Sequence, residues 1–277
     1  MTLLSQNRQA QQKNKTNNKI VNQAGFTLIE LVIVIVILGI LAVGVSSFLK
    51  FGAQIFVDAT DRDKILSSAR FAIERLNREL RGALPNSARV LSDGCLEFTP
   101  IAYSFVYIDI PVAPEAANDT ITLVPSGSTF TLAAEDNYSV VVYPLSNDDV
   151  YKSDKNKVYS LMSANFSITP YQLTLTSPIH FAEESTTQRI FIMKRAVMYC
   201  YENNNELVRY NIDGHTADGS FTTRSNRALM AENLSAVTFK AGTVTRQRNG
   251  TVEVNFEFSR NSEIIRFNNE VQVPNVP

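Results

Sequence analysis

The sequence predicts an α+β protein: a long N-terminal helix, membrane-spanning in its first half, packed on an antiparallel β-sheet domain. Three observations predict it. Residues 31–49, LVIVIVILGILAVGVSSFL, are nineteen consecutive positions without a charge. Beyond them an apolar stripe recurs at three- and four-residue steps, and no proline interrupts the chain before Pro85. From about Ala88 onward, short β-rich runs alternate with turn residues. These changes of character divide the 277 residues into a polar segment over 1–25, a transmembrane helix over 26–49, its amphipathic continuation over 50–84 and a β-rich body over 85–277.

The uncharged run spans about 28 Å as a helix, which matches a bilayer core. In water it would read as a buried strand, because nine of the fifteen residues from Leu31 to Val45 are Val or Ile. In lipid the backbone groups have no water to bond and must pair within their own segment, so the run becomes a helix. Arg8, Lys13, Lys15 and Lys19 precede it with no acid among them, which favours a cytoplasmic N-terminus and an exported body. A cleaved secretory signal, with Ala42-Val43-Gly44 as a small-x-small site, and a plain signal anchor both fit this pattern. Neither accounts for Glu30, a carboxylate at the edge of the span. Taken alone, Glu30 reads as a side chain snorkelling to the headgroups.

The helical pattern continues past Leu49. Ile55, Ala59, Leu66, Ala69, Ile73, Leu76 and Leu80 fall on one stripe. Glu74 with Arg78, and Arg75 with Glu79, stand four apart and support helix locally. Gly82 and Pro85 supply an ending. A helix from Phe26 to about Arg81 would be roughly 84 Å long, far more than a membrane needs. Its second half is therefore predicted to dock on the body, with Leu66 to Leu80 as core and no ligand assigned to it.

In the body the strand runs are Tyr103 to Ile110, Thr120 to Val124, Tyr138 to Tyr143, Gln172 to Thr176, Arg189 to Lys194 and Ala196 to Glu202. Glu206 to Ile212, Ala236 to Ala241, Thr251 to Ser259 and Glu263 to Val273 complete them. Asp93-Gly94, Ser126-Gly127, Asp213-Gly214 and Asn249-Gly250 punctuate them. Val252, Val254, Phe256 and Phe258 alternate with Glu253, Asn255 and Glu257, the two-residue period of a strand with one wet face. Almost no helix is signalled.

The net charge of −1 hides an asymmetry, since residues 26–277 carry 22 basic and 27 acidic side chains. A mildly acidic body argues against a nucleic-acid surface. Cys95 and Cys200, the only cysteines, both lie beyond the span on the side that would be exported. An oxidising compartment permits a bond between them, worth about 4.7 kcal/mol for a loop near 100 residues. The alternative is two buried thiols acting as small apolar residues. His180 and His215 stand in no zinc-ligand spacing, and no nucleophile elbow, phosphate-binding glycine loop or Cys-x-x-Cys occurs. Asn147, Asp148, Asp149 and Asp154 have the residue types for calcium. However, Lys152, Lys155 and Lys157 interleave and the EF-hand order is missing, so this stretch reads as a solvated loop. No catalytic residue, metal or cofactor is nominated.

The string Gly25-Phe26-Thr27-Leu28-Ile29-Glu30-Leu31, between a basic polar segment and an apolar run, resembles the processing signal of type IV prepilins and type II secretion pseudopilins. The resemblance implies a pilin-like fold and cleavage of a 1–25 leader after Gly25 by a prepilin peptidase, which also N-methylates the new terminal Phe26. Glycine there lets a protease approach the backbone closely. It further implies that Glu30 pairs with the terminal amine of a neighbouring subunit, since a lone charge in an apolar setting is costly. The partners implied are other pilin subunits through the helix, the peptidase and an inner-membrane assembly platform. The location implied is single-pass in the inner membrane, then the filament. Many major pilins kink the helix with a proline where this chain has Ser46 and Ser47. The large body, the helix ending AIERLNRELRGALPNSARV (72–90), the two cysteines and the tail IIRFNNEVQVPNVP (264–277) resemble minor subunits: PilW-like proteins, J-type pseudopilins and, most nearly, the biogenesis subunits of mannose-sensitive haemagglutinin (MSHA) pili. A minor, assembly-controlling pilus subunit that serves surface attachment is the function implied. The alternatives are a J-type pseudopilin of a type II secretion system and a filament-tip binding subunit.

Overall fold

The computed structural model describes residues 25–127, 129–132, 137–212, 224–242, 250–261 and 263–273. The basic residues ahead of Gly25, Asp213-Gly214, His215, Asn249 and the last four residues of the tail lie outside the described residues. The chain divides into two compact units, the first ending at Phe56 and the second beginning at Val57.

One helix, α1, runs Leu28–Arg81. Within the first unit all its side chains are exposed, Ile33, Leu41 and Phe48 among them. Its backbone bonds are internal, so this apolar surface needs only an apolar solvent. Among the described residues α1 is the one helix long and apolar enough to cross a membrane. Ser46 stays within it and donates its hydroxyl to the Ala42 carbonyl at 2.7 Å, which pairs that hydroxyl inside the helix.

In the second unit α1 buries Asp61, Ile65, Ala69, Ala72, Leu76 and Leu80, a stripe of four- and three-residue steps. The predicted stripe holds at Ala69, Leu76 and Leu80. It is corrected elsewhere: Ile55 and Ala59 are exposed, Leu66 is half-buried, and Ile65 and Ala72 take core positions. Periodicity marks an apolar face, but cover begins only at Asp61, where a hairpin turn reaches the helix. Asn261 Nδ2 donates to Asp61 at 2.7 Å, and Arg260 pairs with it at 2.9 Å. The helix stops at Arg81, where the N–H groups of Gly82 and Ala83 donate back to the Glu79 and Leu80 carbonyls.

Strands β1 (Arg89–Val90) and β2 (Leu96–Phe98) follow, then β3 (Tyr103–Asp109), β4 (Asn118–Leu123) and β5 (Ser139–Val142). A short helix, α2 (Asn147–Tyr151), precedes β6 (Val158–Asn165), β7 (Tyr171–Ile179) and β8 (Arg189–Met193). The chain continues through β9 (Ala196–Glu202), β10 (Glu206–Ile212), β11 (Arg224–Ala231), β12 (Leu234–Ala241), β13 (Gly250–Arg260) and β14 (Glu263–Val273). All ten predicted runs are strands. β1, β2, β6, β11 and α2 carry no such signal. β1 and β2 are two and three residues long, and β11 opens with the polar Arg-Ser-Asn-Arg of an edge strand.

These antiparallel strands form three assemblies rather than one sheet. The order β1-β2-β9-β10-β11 makes one sheet and β12-β13-β14 a second; β3-β4-β7-β6-β5-β8 closes into a barrel. β2 and β9 are hydrogen-bonded neighbours, Leu96 opposite Tyr199 and Phe98 opposite Val197. Every barrel strand therefore lies between two adjacent strands of the five-stranded sheet, as an insertion into it. Two cores follow from this. Leu76 and Leu80 of α1 share one core with Phe98, Tyr199, Phe256 and Phe258 from the two sheets. The barrel encloses another, built on Phe105, Ile121, Leu173, Ile190 and Ile192. On β13 the predicted alternation holds: Val252, Val254, Phe256 and Phe258 face inward.

Candidate functional site

Gly25, Phe26 and Thr27 lie ahead of the first turn of α1. A Cβ added at Gly25 would meet nothing within 4 Å, so no contact among the described residues demands a glycine there. Phe26 is 77% exposed. Thr27 is the helix N-cap: its hydroxyl accepts the Glu30 N–H at 3.3 Å and its carbonyl accepts the Leu31 N–H at 3.2 Å. Glu30 thus occupies the first turn, where the unpaired N–H groups carry partial positive charge and favour a carboxylate. Among the described residues no side chain bonds its carboxylate. Sequence reasoning took Glu30 for an anomalous charge and missed the cap, although Thr-x-x-Glu ahead of an apolar run is the spacing of a capping box.

In the body the structure joins Cys95 and Cys200 in a disulfide, 105 residues apart, with Cα atoms 4.5 Å apart. The pair sits one step beyond the Leu96–Tyr199 pair of the β2–β9 ladder. It therefore closes the stem from which the barrel is inserted. Asp93 and the two sulfurs are the one group of metal-ligand types brought together among the described residues, and the bond consumes both sulfurs. Asp93 is committed as well: it accepts the Cys95 N–H at 3.1 Å and pairs with Arg224 at 2.8 Å.

Two charged clusters tie the elements together. Glu79 of α1 receives Arg209 at 2.9 Å, Arg75 at 2.5 Å and the Tyr199 hydroxyl at 3.1 Å, which binds the helix to β9 and β10. The predicted Arg75–Glu79 spacing thus serves tertiary structure more than helix propensity. Beside the stem, Glu97 is buried and pairs with Arg89 at 2.5 Å, while the Arg89 guanidinium stacks on the Tyr151 ring. Burial pushes the Glu97 carboxyl up to about 7 against the pull of Arg89.

Of the acidic stretch at 147–154, Asn147–Tyr151 is a helix rather than the solvated loop expected, while Asp154, Lys152 and Lys155 are exposed. Ser146 and Asp149 form a capping box on α2, and Asp149 is buried and lies 3.6 Å from Lys157. Its carboxylate is taken up by the Leu145 and Ser146 N–H groups, and Asp148 pairs with Lys152. His180 hydrogen-bonds the Glu115 carbonyl through Nε2 at 2.6 Å, an ordinary polar contact.

Residues 20–46 match the family model described as the prokaryotic N-terminal methylation motif. No curated protein and no solved structure matches the chain. The motif covers the junction at Gly25 and the first part of the exposed apolar helix. With the antiparallel body, it supports a type IV pilin-like or pseudopilin subunit, anchored by a single N-terminal helix. Proteins of that class are structural subunits of a pilus or secretion assembly. The motif implies association with other pilins and processing by a prepilin peptidase.

Proposed function

We propose that the chain is a minor subunit of an MSHA-type type IV pilus, acting in pilus biogenesis and through it in surface attachment. The observation that carries this reading is the methylation motif at 20–46, set at the start of a helix whose apolar first half is exposed. The peptidase cuts after Gly25 on the cytoplasmic side of the inner membrane, leaving the whole helix on the mature protein, and methylates the Phe26 amine. Glu30, whose carboxylate has no partner within the described chain, meets the amine of a neighbouring subunit and sets the axial register between the two helices. The body faces the periplasm, where the Cys95–Cys200 bond is stable. Its size, with a barrel inserted into the sheet, favours a subunit incorporated sparingly over one that repeats along a shaft.

Mass spectrometry of the mature N-terminus, in cells with and without the peptidase, tests this. A methylated Phe26 terminus that disappears without the enzyme is expected. An intact Met1, or a terminus at Val45, would overturn the reading. A deletion strain separates the pilus role from that of a J-type pseudopilin: loss of surface pili supports the first, and loss of protein secretion with pili intact supports the second.

A further inference from the structure

The outer face of the closed barrel carries a groove where β3 meets β4 and β8. β3 pairs with β8 from Tyr103 to Val106, and with β4 at Tyr107 opposite Leu123. One step on, the Val124 N–H donates to the Val106 carbonyl at 2.9 Å. The next residue of that edge is Pro125, which has no N–H to give the ladder, and Gly127 follows with φ +73° and turns the chain away. A groove of about 310 Å³ lies at this point, lined by Ser104, Phe105, Val106, Val124, Ser126 and Arg189. Arg189 stands directly opposite Val106 on β8, so the two side chains share the outer face. Val106 and Val124 are 43% and 40% exposed and form an apolar floor.

Among the described residues neither the Arg189 guanidinium nor the Ser104 or Ser126 hydroxyl makes a side-chain hydrogen bond, and Arg189 has no ion pair. No carboxylate is among the lining residues. Arg209 and Lys157, both more buried, are spent internally on Glu79 and Glu183, whereas Arg189 is exposed. A planar guanidinium beside an open apolar floor suits a carboxylate, which it can hold through two parallel hydrogen bonds. Two hydroxyls, each both donor and acceptor, suit a ligand that is itself hydroxylated.

We propose that this groove binds a hydroxylated carboxylate of acidic-monosaccharide size, with the carboxylate on Arg189, ring hydroxyls on Ser104 and Ser126, and the apolar ring face on Val106 and Val124. An extended peptide fits less well. A strand added to a sheet edge needs several consecutive backbone positions, and here Val124 already closes the edge at Val106. The site belongs to the inserted barrel and does not depend on how the N-terminal helix is processed.

The test is titration of the full-length protein in detergent micelles, followed by saturation-transfer NMR, with D-glucuronate as probe and D-glucose as its neutral counterpart. Saturable glucuronate binding is expected, with glucose roughly tenfold weaker or more, because hydrogen bonds to a charged group carry the difference. Arg189→Gln should weaken glucuronate by a similar factor with an unchanged melting temperature, since the side chain has no partner to lose. Val124→Asp, which sets a like charge on the floor, should abolish binding. The proposal is overturned if glucuronate and glucose bind alike, if both variants bind glucuronate as the parent does, or if a free-carboxylate tripeptide binds tighter than glucuronate.

Discussion

Replacing both Cys95 and Cys200 with alanine removes the bond that closes the stem of the barrel. The ladder from Leu96–Tyr199 to Phe98–Val197 still holds β2 against β9, so the folded state keeps its register. The loss falls mainly on the unfolded state. With a sequence separation of 105 between the two cysteines, the loop-closure entropy released corresponds to about 4.7 kcal/mol. The sulfurs are packed among Met198, Val208, Tyr210 and Ile212, so their removal adds a smaller packing loss. For a body of this size the melting temperature should drop by roughly 10–20 °C. The assay is denaturant and thermal unfolding of the full-length protein in micelles, followed by circular dichroism, with oxidised parent, reduced parent and double variant compared. The reduced parent should resemble the variant. Both should show a steeper denaturant dependence, because an uncrosslinked chain exposes more surface on unfolding. A shift under roughly 2 °C, or an unchanged slope, would refute the assignment of the bond to the insertion stem.

Glu97 gives a pH dependence of defined sign. Its carboxyl stands at about 7 in the fold against 4.5 ordinarily, so the folded state holds the proton between those values. Stability should fall by roughly 3 kcal/mol as pH rises from about 4.5 to 7, then level off. Urea midpoints across that range should show the slope in the parent and lose it in Glu97→Gln; a slope that survives the substitution sinks the attribution. Glu79→Ala strands Arg209 and Arg75 without their shared carboxylate and should cost roughly 3 kcal/mol, with Glu79→Gln recovering part of it; equal stability of all three would show that the cluster does not tie α1 to β10. Glu30→Ala should leave cleavage after Gly25 intact and reduce incorporation, read as the ratio of sheared filament to cell-bound protein on immunoblots. Normal incorporation would remove the charge-pairing role.

Local chemistry accounts for what was legible in the chain. The uncharged run from Leu31 has one structure open to it in lipid. The strict alternation of β13 names its own buried face, and Gly82 ends α1 where helix-stopping residues predict. Thr27 and Glu30 are equally local, a cap written as Thr-x-x-Glu ahead of the apolar run. Among the strands without a signal, β1 and β2 are only two and three residues long and β11 is a polar edge, so their partners define them; β6 lacks the strict alternation that would have marked it. The stripe on α1 was displaced for a similar reason, since Ile55 and Ala59 continue the period but meet no covering sheet.

By itself, then, the sequence determined the membrane-length helix, the N-terminal methylation motif and the β character of the body, because each follows from residues close together in the chain. Only the tertiary structure decided that the strands split into two sheets and a barrel, that the barrel is inserted between β2 and β9, and that Cys95 and Cys200 stand one step past Leu96–Tyr199 to close its stem. It also decided that Glu79 of α1 receives Arg209 and Tyr199, and that Arg189, Ser104 and Ser126 line one groove. Those juxtapositions join residues tens to more than a hundred positions apart, and no period or motif in a single chain encodes which distant strands will pair.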